Sequence, residues 1–188
     1  MSTIAQVNSG VEMAGLSIRP VAPVWIASIR FFDAAGEFVS GLAGRVGGPL
    51  PGPLQVFRYA DDPGDPGGAR RDSQMLLASR SPSETLLLCN QARVLAALED
   101  FAAGRSDGCV VNQTGAYRVW DVTGNKAPDF LARLGSASVP ALGEARLSRV
   151  AELTVMSLSV EAGSTLVLVD RLYSEHLAGW MAETLTDF

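Results

Sequence analysis

Residues 74–102 read QMLLASRSPSETLLLCNQARVLAALEDFA, and this stretch decides the fold. Gln74–Arg80 and Thr85–Cys89 are two β-prone runs around the turn Ser81-Pro82-Ser83-Glu84, which predicts a hairpin. Asn90 is then expected to cap a helix with Val94, Leu98, Phe101 and Ala102 on one face, at i, i+4, i+7 and i+8. A shift of 79 positions lays this stretch, without a gap, over LTVMSLSVEAGSTLVLVDRLYSEHLAGWM at residues 153–181. Leu87-Leu88-Cys89 falls on Leu166-Val167-Leu168, and the helix face falls on Tyr173, Leu177, Trp180 and Met181. The chain therefore reads as one hairpin–helix unit used twice.

Upstream, Trp25–Phe32 is an apolar, β-prone run that reads as a strand, and a helix is expected over Ala34–Val46 with Phe38, Leu42 and Val46 at helical spacing. Further on, Cys109–Asn112 and Ala116–Asp121 flank Gln113-Thr114-Gly115 and predict a second hairpin. A short helix carrying Phe130, Leu131 and Leu134 then ends at Gly135. A third hairpin pairs a strand over Leu147–Val160 with Ser164–Val169, and Asp170 caps the last helix. Arg45-Val46-Gly47 also lies over Arg133-Leu134-Gly135 at a shift of 88, and Leu50-Pro51 over Val139-Pro140 a little later. Each half reads strand, helix, two strands, helix. The expected class is α+β, an internally duplicated antiparallel-sheet domain. Residues 1–15 read as a flexible arm, residues 16–188 as one domain with halves at about 16–104 and 105–188, and the Pro/Gly-rich residues 59–72 as a loop.

The 188 residues carry a net charge of −5, and 47% are hydrophobic against 19% charged, with mean hydropathy +0.19. Soluble domains average about 25% charged residues, so apolar side chains are in excess here. A surface awaiting a partner and a rich core both account for that, and composition does not separate them. Lys126 is the only lysine and the arginines are scattered except for Arg70-Arg71, which argues against nucleic acid as a partner. No run approaches the roughly 18 apolar residues of a membrane span, and the N-terminus has no signal-peptide pattern. Cys89 and Cys109 lack metal or redox spacing and read as reduced strand residues of a cytoplasmic protein.

The search for chemistry yields little. Gly41, Gly44 and Gly47 have a superficial nucleotide-loop spacing but fall within and at the end of the expected helix. His176 is the only histidine, and Glu175 beside it points elsewhere on a helix. Asp61, Asp62 and Asp65 cluster in a loop with no apolar pocket to raise a carboxyl pKa. Glu99, Asp100 and Glu183 read as helix-surface charges, and Trp25, Trp120 and Trp180 as core or interface anchors. No catalytic, cofactor-binding or metal residue is expected. Among Trp25, Phe31, Phe32 and Phe57, at least one aromatic is expected at the surface as a docking anchor, foremost Trp25 or Phe31.

From about Ser73 the sequence resembles the gamma subunit of heterotetrameric sarcosine oxidase, a family related to the folate-binding domain of glycine-cleavage T-proteins and to YgfZ-like proteins. The residues carrying the resemblance are the hairpin Arg80–Leu88, the step Tyr117–Gly124 followed by Ala127 and Phe130-Leu131, the run Gly143–Thr154, and the closing strand and helix Leu166–Leu177. The resemblance covers about two-thirds of the chain and implies the T-protein-like folate-binding fold with ferredoxin-like halves. It also implies a non-catalytic subunit that docks on alpha-, beta- and delta-type partners. Their complex oxidatively demethylates sarcosine or a related N-methyl or cyclic amino acid. FAD, FMN, NAD and tetrahydrofolate belong to that assembled complex, none of them to this chain. The Lys-Gly-Cys-Tyr-x-Gly-Gln signature of YgfZ-type proteins is absent, and the T-protein's catalytic aspartate has no counterpart. The alternative from another class is a free-standing folate-binding protein of aminomethyltransferase or YgfZ type.

Overall fold

The computed structural model describes residues 3–22, 24–59, 75–135 and 139–188. In chain order the elements are α1 (Thr3–Ser9), β1 (Val11–Met13), β2 (Leu16–Pro20), β3 (Trp25–Phe31), α2 (Glu37–Val46), β4 (Val56–Tyr59), β5 (Met75–Ser81), β6 (Glu84–Cys89) and α3 (Ala92–Ala102). After these come β7 (Gly108–Asn112), β8 (Tyr117–Thr123), α4 (Ala127–Leu134), β9 (Ala145–Val150), β10 (Leu153–Glu161), β11 (Ser164–Asp170), the 3₁₀ turn Arg171–Tyr173 and α5 (Ser174–Leu185). The chain forms two compact units, one from residues 23–114 and one from residues 1–22 with 115–188.

The contiguous unit holds an antiparallel sheet in the order β4-β5-β6-β3-β7. Its helix-side core joins Ala27, Ile29 and Phe31 of β3, Met75, Leu77, Leu87 and Cys89 of the hairpin, and the buried faces of α2 and α3. The other unit holds an antiparallel sheet in the order β9-β10-β11-β8-β2-β1, covered by α1, α4 and α5 around Trp120, Phe130 and Leu177. Read from β4 and from β9, the two orders agree strand for strand, with β7 and β2 in the same place. Met75–Ala78, Thr85–Cys89 and Val155–Ser159 are unbroken buried runs. Alternate residues of a strand face opposite sides, so these strands are buried on both faces.

Several expectations change. From Thr3 on, the segment read as a flexible arm is built into the fold: Val7 of α1 is fully buried, and β1 pairs with β2 in the register Val11↔Ile18. Cys109–Asn112 and Ala116–Asp121 do not form the expected hairpin. β7 pairs with β3 in one sheet and β8 with β2 and β11 in the other. Gln113 donates its N–H to Ile26 O at 2.8 Å and Thr114 Oγ1 accepts from Ile26 N at 3.2 Å, so the turn-like residues tie off β7 instead of reversing it. The divide between the halves consequently falls after Thr114, not after Gly104. The span Leu147–Val160 is two strands, folded back at Ala151-Glu152. The helix cap expected at Asn90 falls on Gln91. Of the expected 59–72 loop, Tyr59 belongs to β4 and the rest lies outside the described residues, as does Gln74.

Both stretches of the sequence repeat are a hairpin followed by a helix, but the gapless 79-residue shift is not the structural correspondence. It lays Leu87, which faces the helices, over Leu166, which does not. A shift of 80 matches the registers: Met75↔Cys89 becomes Val155↔Val169, Ala78↔Leu86 becomes Leu158↔Leu166, and Ser81↔Glu84 beyond the bulge becomes Glu161↔Ser164. The helices correspond at 83, with Val94, Leu95 and Leu98 matched by Leu177, Ala178 and Met181. The extra three residues are the 3₁₀ turn, started by Asp170 Oδ1 accepting from Leu172 N at 2.9 Å.

Candidate functional site

The chemistry-bearing residues are kept apart. His176 is exposed on α5, and neighbouring Glu175 accepts from Asn8 Nδ2 at 3.2 Å. Gly41 and Gly44 sit inside α2 and Gly47 caps it, so this glycine run cradles nothing; a Cβ on Gly41 would meet the Phe101 ring at 3.0 Å. Cys89 is buried, Cys109 is exposed, and no disulfide joins them. Among the described residues no group of three His, Cys, Asp or Glu side chains comes together to hold a metal. Asp61, Asp62 and Asp65 lie outside the described residues.

The aromatic anchors divide three ways. Trp120 is fully buried in its core, while Trp180 is 41% exposed and donates Nε1–H to Leu134 O at 3.0 Å. Trp25 and Phe57 are half-buried and Phe31 is 8% exposed, so the two aromatics favoured as surface anchors are not the exposed ones. That place belongs to Phe32, at 87% exposure. Alternation along β3 turns Phe31 into the core, and Phe32, one residue past the strand, escapes the constraint.

Phe32 helps line a concavity of about 640 Å³ with Arg30, Phe31, Ser83, Arg105 and Cys109. Arg105 makes a forked pair with Asp107 at 3.0 and 2.9 Å and lies over the Phe101 ring at 5.1 Å. The guanidinium holds the Asp107 carboxyl below its ordinary pKa. Arg30 is 60% exposed, 3.5 Å from the Glu84 carboxylate. A smaller concavity, about 470 Å³, is lined in the other unit by Arg133, Trp180, Glu183, Thr184 and Asp187. The first sets two arginines beside aromatic rings, and the second sets Arg133 and Trp180 beside the Glu183 and Asp187 carboxylates.

No protein-family model matches the sequence, and no curated protein matches it. The structure is similar to a chain of the heterotetrameric sarcosine oxidase from Corynebacterium sp. U-96, solved with pyrrole 2-carboxylate. The TM-score is 0.77 at 20% identity, over 94% of this chain and 88% of that one. It is also similar to the glycine cleavage system aminomethyltransferase T of Bartonella henselae, with TM-score 0.65 and 14% identity over 95% of this chain. The chain spans about half of that aminomethyltransferase, 47% of its length. The fold is thus the mixed, two-sheet arrangement shared by a sarcosine oxidase chain and T-protein, as the sequence resemblance implied.

Proposed function

We propose that this chain is the non-catalytic, gamma-type subunit of a heterotetrameric sarcosine-oxidase-like complex. One observation carries the reading. The likeness to the sarcosine oxidase chain covers 94% of this chain and 88% of that one at TM-score 0.77, against TM-score 0.65 over 47% of the aminomethyltransferase. The dispersed titratable residues agree with a subunit whose role is association. On this reading alpha-, beta- and delta-type subunits carry FAD, FMN and NAD, tetrahydrofolate accepts the one-carbon unit, and the assembly works in the cytoplasm on sarcosine or a related N-methyl or cyclic amino acid. We also take the shared strand order and the 80-residue register as the mark of an internal duplication into two ferredoxin-like halves.

The test is co-expression with the large subunits, followed by size-exclusion chromatography and absorbance. The expected result is one complex containing this chain, with flavin absorbance in the complex and none in the isolated chain. Stoichiometric tetrahydrofolate binding with methyl transfer by the chain alone overturns the proposal in favour of a free-standing aminomethyltransferase-like protein.

A further inference from the structure

Four strands end the two sheets, and three of them carry charge: Glu12 on β1, Arg58 on β4, and Arg146 with Arg149 on β9. The fourth, β7, reads Gly-Cys-Val-Val-Asn with no charge, no proline and no bulge, and Cys109, Val111 and Asn112 are exposed. Edge strands are ordinarily protected by just these devices, because open N–H and C=O groups recruit further strands. Gln113 N bonds Ile26 O and Phe32 N bonds Asp107 O, so pairing with β3 runs through Cys109 and Val111. In an antiparallel ladder the backbone groups of the alternate residues Gly108, Val110 and Asn112 then turn outward.

The other unit shows what such an edge takes. β2 stands where β7 stands, and Ile18, opposite Val122, matches Val110, opposite Ile29. There the edge is covered by β1 through the antiparallel pairs Val11↔Ile18 and Met13↔Leu16. Val11 and Met13 pack on the helix-side core, while Glu12 between them accepts from Ser17 Oγ at 2.8 Å and Arg19 Nε at 2.6 Å. Among the described residues no strand pairs with β7 on this side.

We infer that the outer edge of β7 receives an extended segment of the partner polypeptide, with an apolar–x–apolar pattern like that of β1 and main-chain pairing centred on Val110. This rests on the subunit reading above. Strand addition of this kind takes affinity from backbone hydrogen bonds and specificity from alternate side chains. A second copy of β7 fits less well, since pairing Val110 with Val110 sets polar Asn112 opposite Gly108, where β1 supplies Met13. The concavity with Arg30 and Phe32 adjoins β7 at Gly108 and Cys109, and so offers the incoming segment a cation and an open ring at that end.

The experiment is backbone amide exchange on the chain alone and in complex with the oxidase's large subunits, together with two variants. In the free chain the Val110 amide exchanges faster than those of Cys109 and Val111; in the complex it slows about tenfold or more. Val110→Pro removes the outward donor without removing a bond to β3 and weakens the complex about tenfold, while Val110→Thr keeps the donor and the affinity. A complex in which the Val110 amide stays as open as in the free chain overturns the inference while leaving the subunit reading intact, whatever the variants do. Protection of Val110 in a homodimer assigns the edge to a second copy and overturns it too. Failure of any complex to form overturns both.

Discussion

Ser28 on β3 and Asp121 on β8 occupy corresponding places, opposite Leu86 and Leu166 of the matched hairpins. Ser28 donates to the Glu84 carboxylate, and Asp121 accepts from Ser164 Oγ at 2.7 Å, so the hydroxyl and the carboxylate are exchanged between the units. The exchanged pair Ser28→Asp with Glu84→Ser should therefore be less destabilising than the sum of the single variants, with a coupling of about 0.5–3 kcal/mol in a double-mutant cycle of urea melts. Burial pushes the Asp121 carboxyl above its ordinary pKa, with Glu161 adding to the rise while Ser164 and Arg19 oppose it. A raised folded-state pKa means the group favours folding at acid pH, and this contribution is lost as pH rises through that pKa. Asp121→Asn still accepts from Ser164, so it should raise the melting temperature at neutral pH and lose that advantage below the carboxylate range. Gly108 is fixed by its neighbour: a Cβ there would lie 2.5 Å from the Phe38 ring, which is 1% exposed. Gly108→Ala should cost about 1–3 kcal/mol in urea unfolding, the cost of overpacking.

At the scale of elements, what was legible followed local rules. The Ser81–Glu84 turn and the leucine run of β6 mark their hairpin, and the 3.6-residue spacing marks α2 and α4. What was missed depended on partners far away in sequence. Nothing in Gln113-Thr114-Gly115 tells that β7 and β8 join different sheets, because any apolar strand beside a turn looks like half a hairpin. At least one of Trp25, Phe31, Phe32 and Phe57 is exposed as expected, but it is Phe32 and not the favoured Trp25 or Phe31, since strand parity at Phe31 and Phe32 depends on where β3 stops. The β9–β10 reversal left no trace either, for its two turn residues, Ala151 at φ 49° and Glu152 at φ 65°, are in the left-handed region that Asn-Gly normally marks. Replacing them, Ala151→Asn with Glu152→Gly, should stabilise the protein by about 0.5–1 kcal/mol, measured as a shift of the urea midpoint.

For the whole molecule, association is the property to measure. If Phe32 anchors the complex, Phe32→Ala should weaken it by about 2 kcal/mol or more, while the isolated chain melts at nearly the same temperature. An unchanged dissociation constant would move the docking surface elsewhere. The composition of the units also has a consequence for biosynthesis. Residues 23–114 are contiguous, but the other unit needs residues 1–22 together with 115–188. On the ribosome the first unit has all its strands once Thr114 emerges. The β1–β2 hairpin, with apolar Leu16 and Ile18, must wait for β8, and for the rest of its sheet on the order of ten seconds at ordinary translation rates. The first-made of the described hairpins thus waits longest for its sheet, and a nascent chain stalled near residue 114 would expose its outer edge to any chaperone that reads short apolar segments.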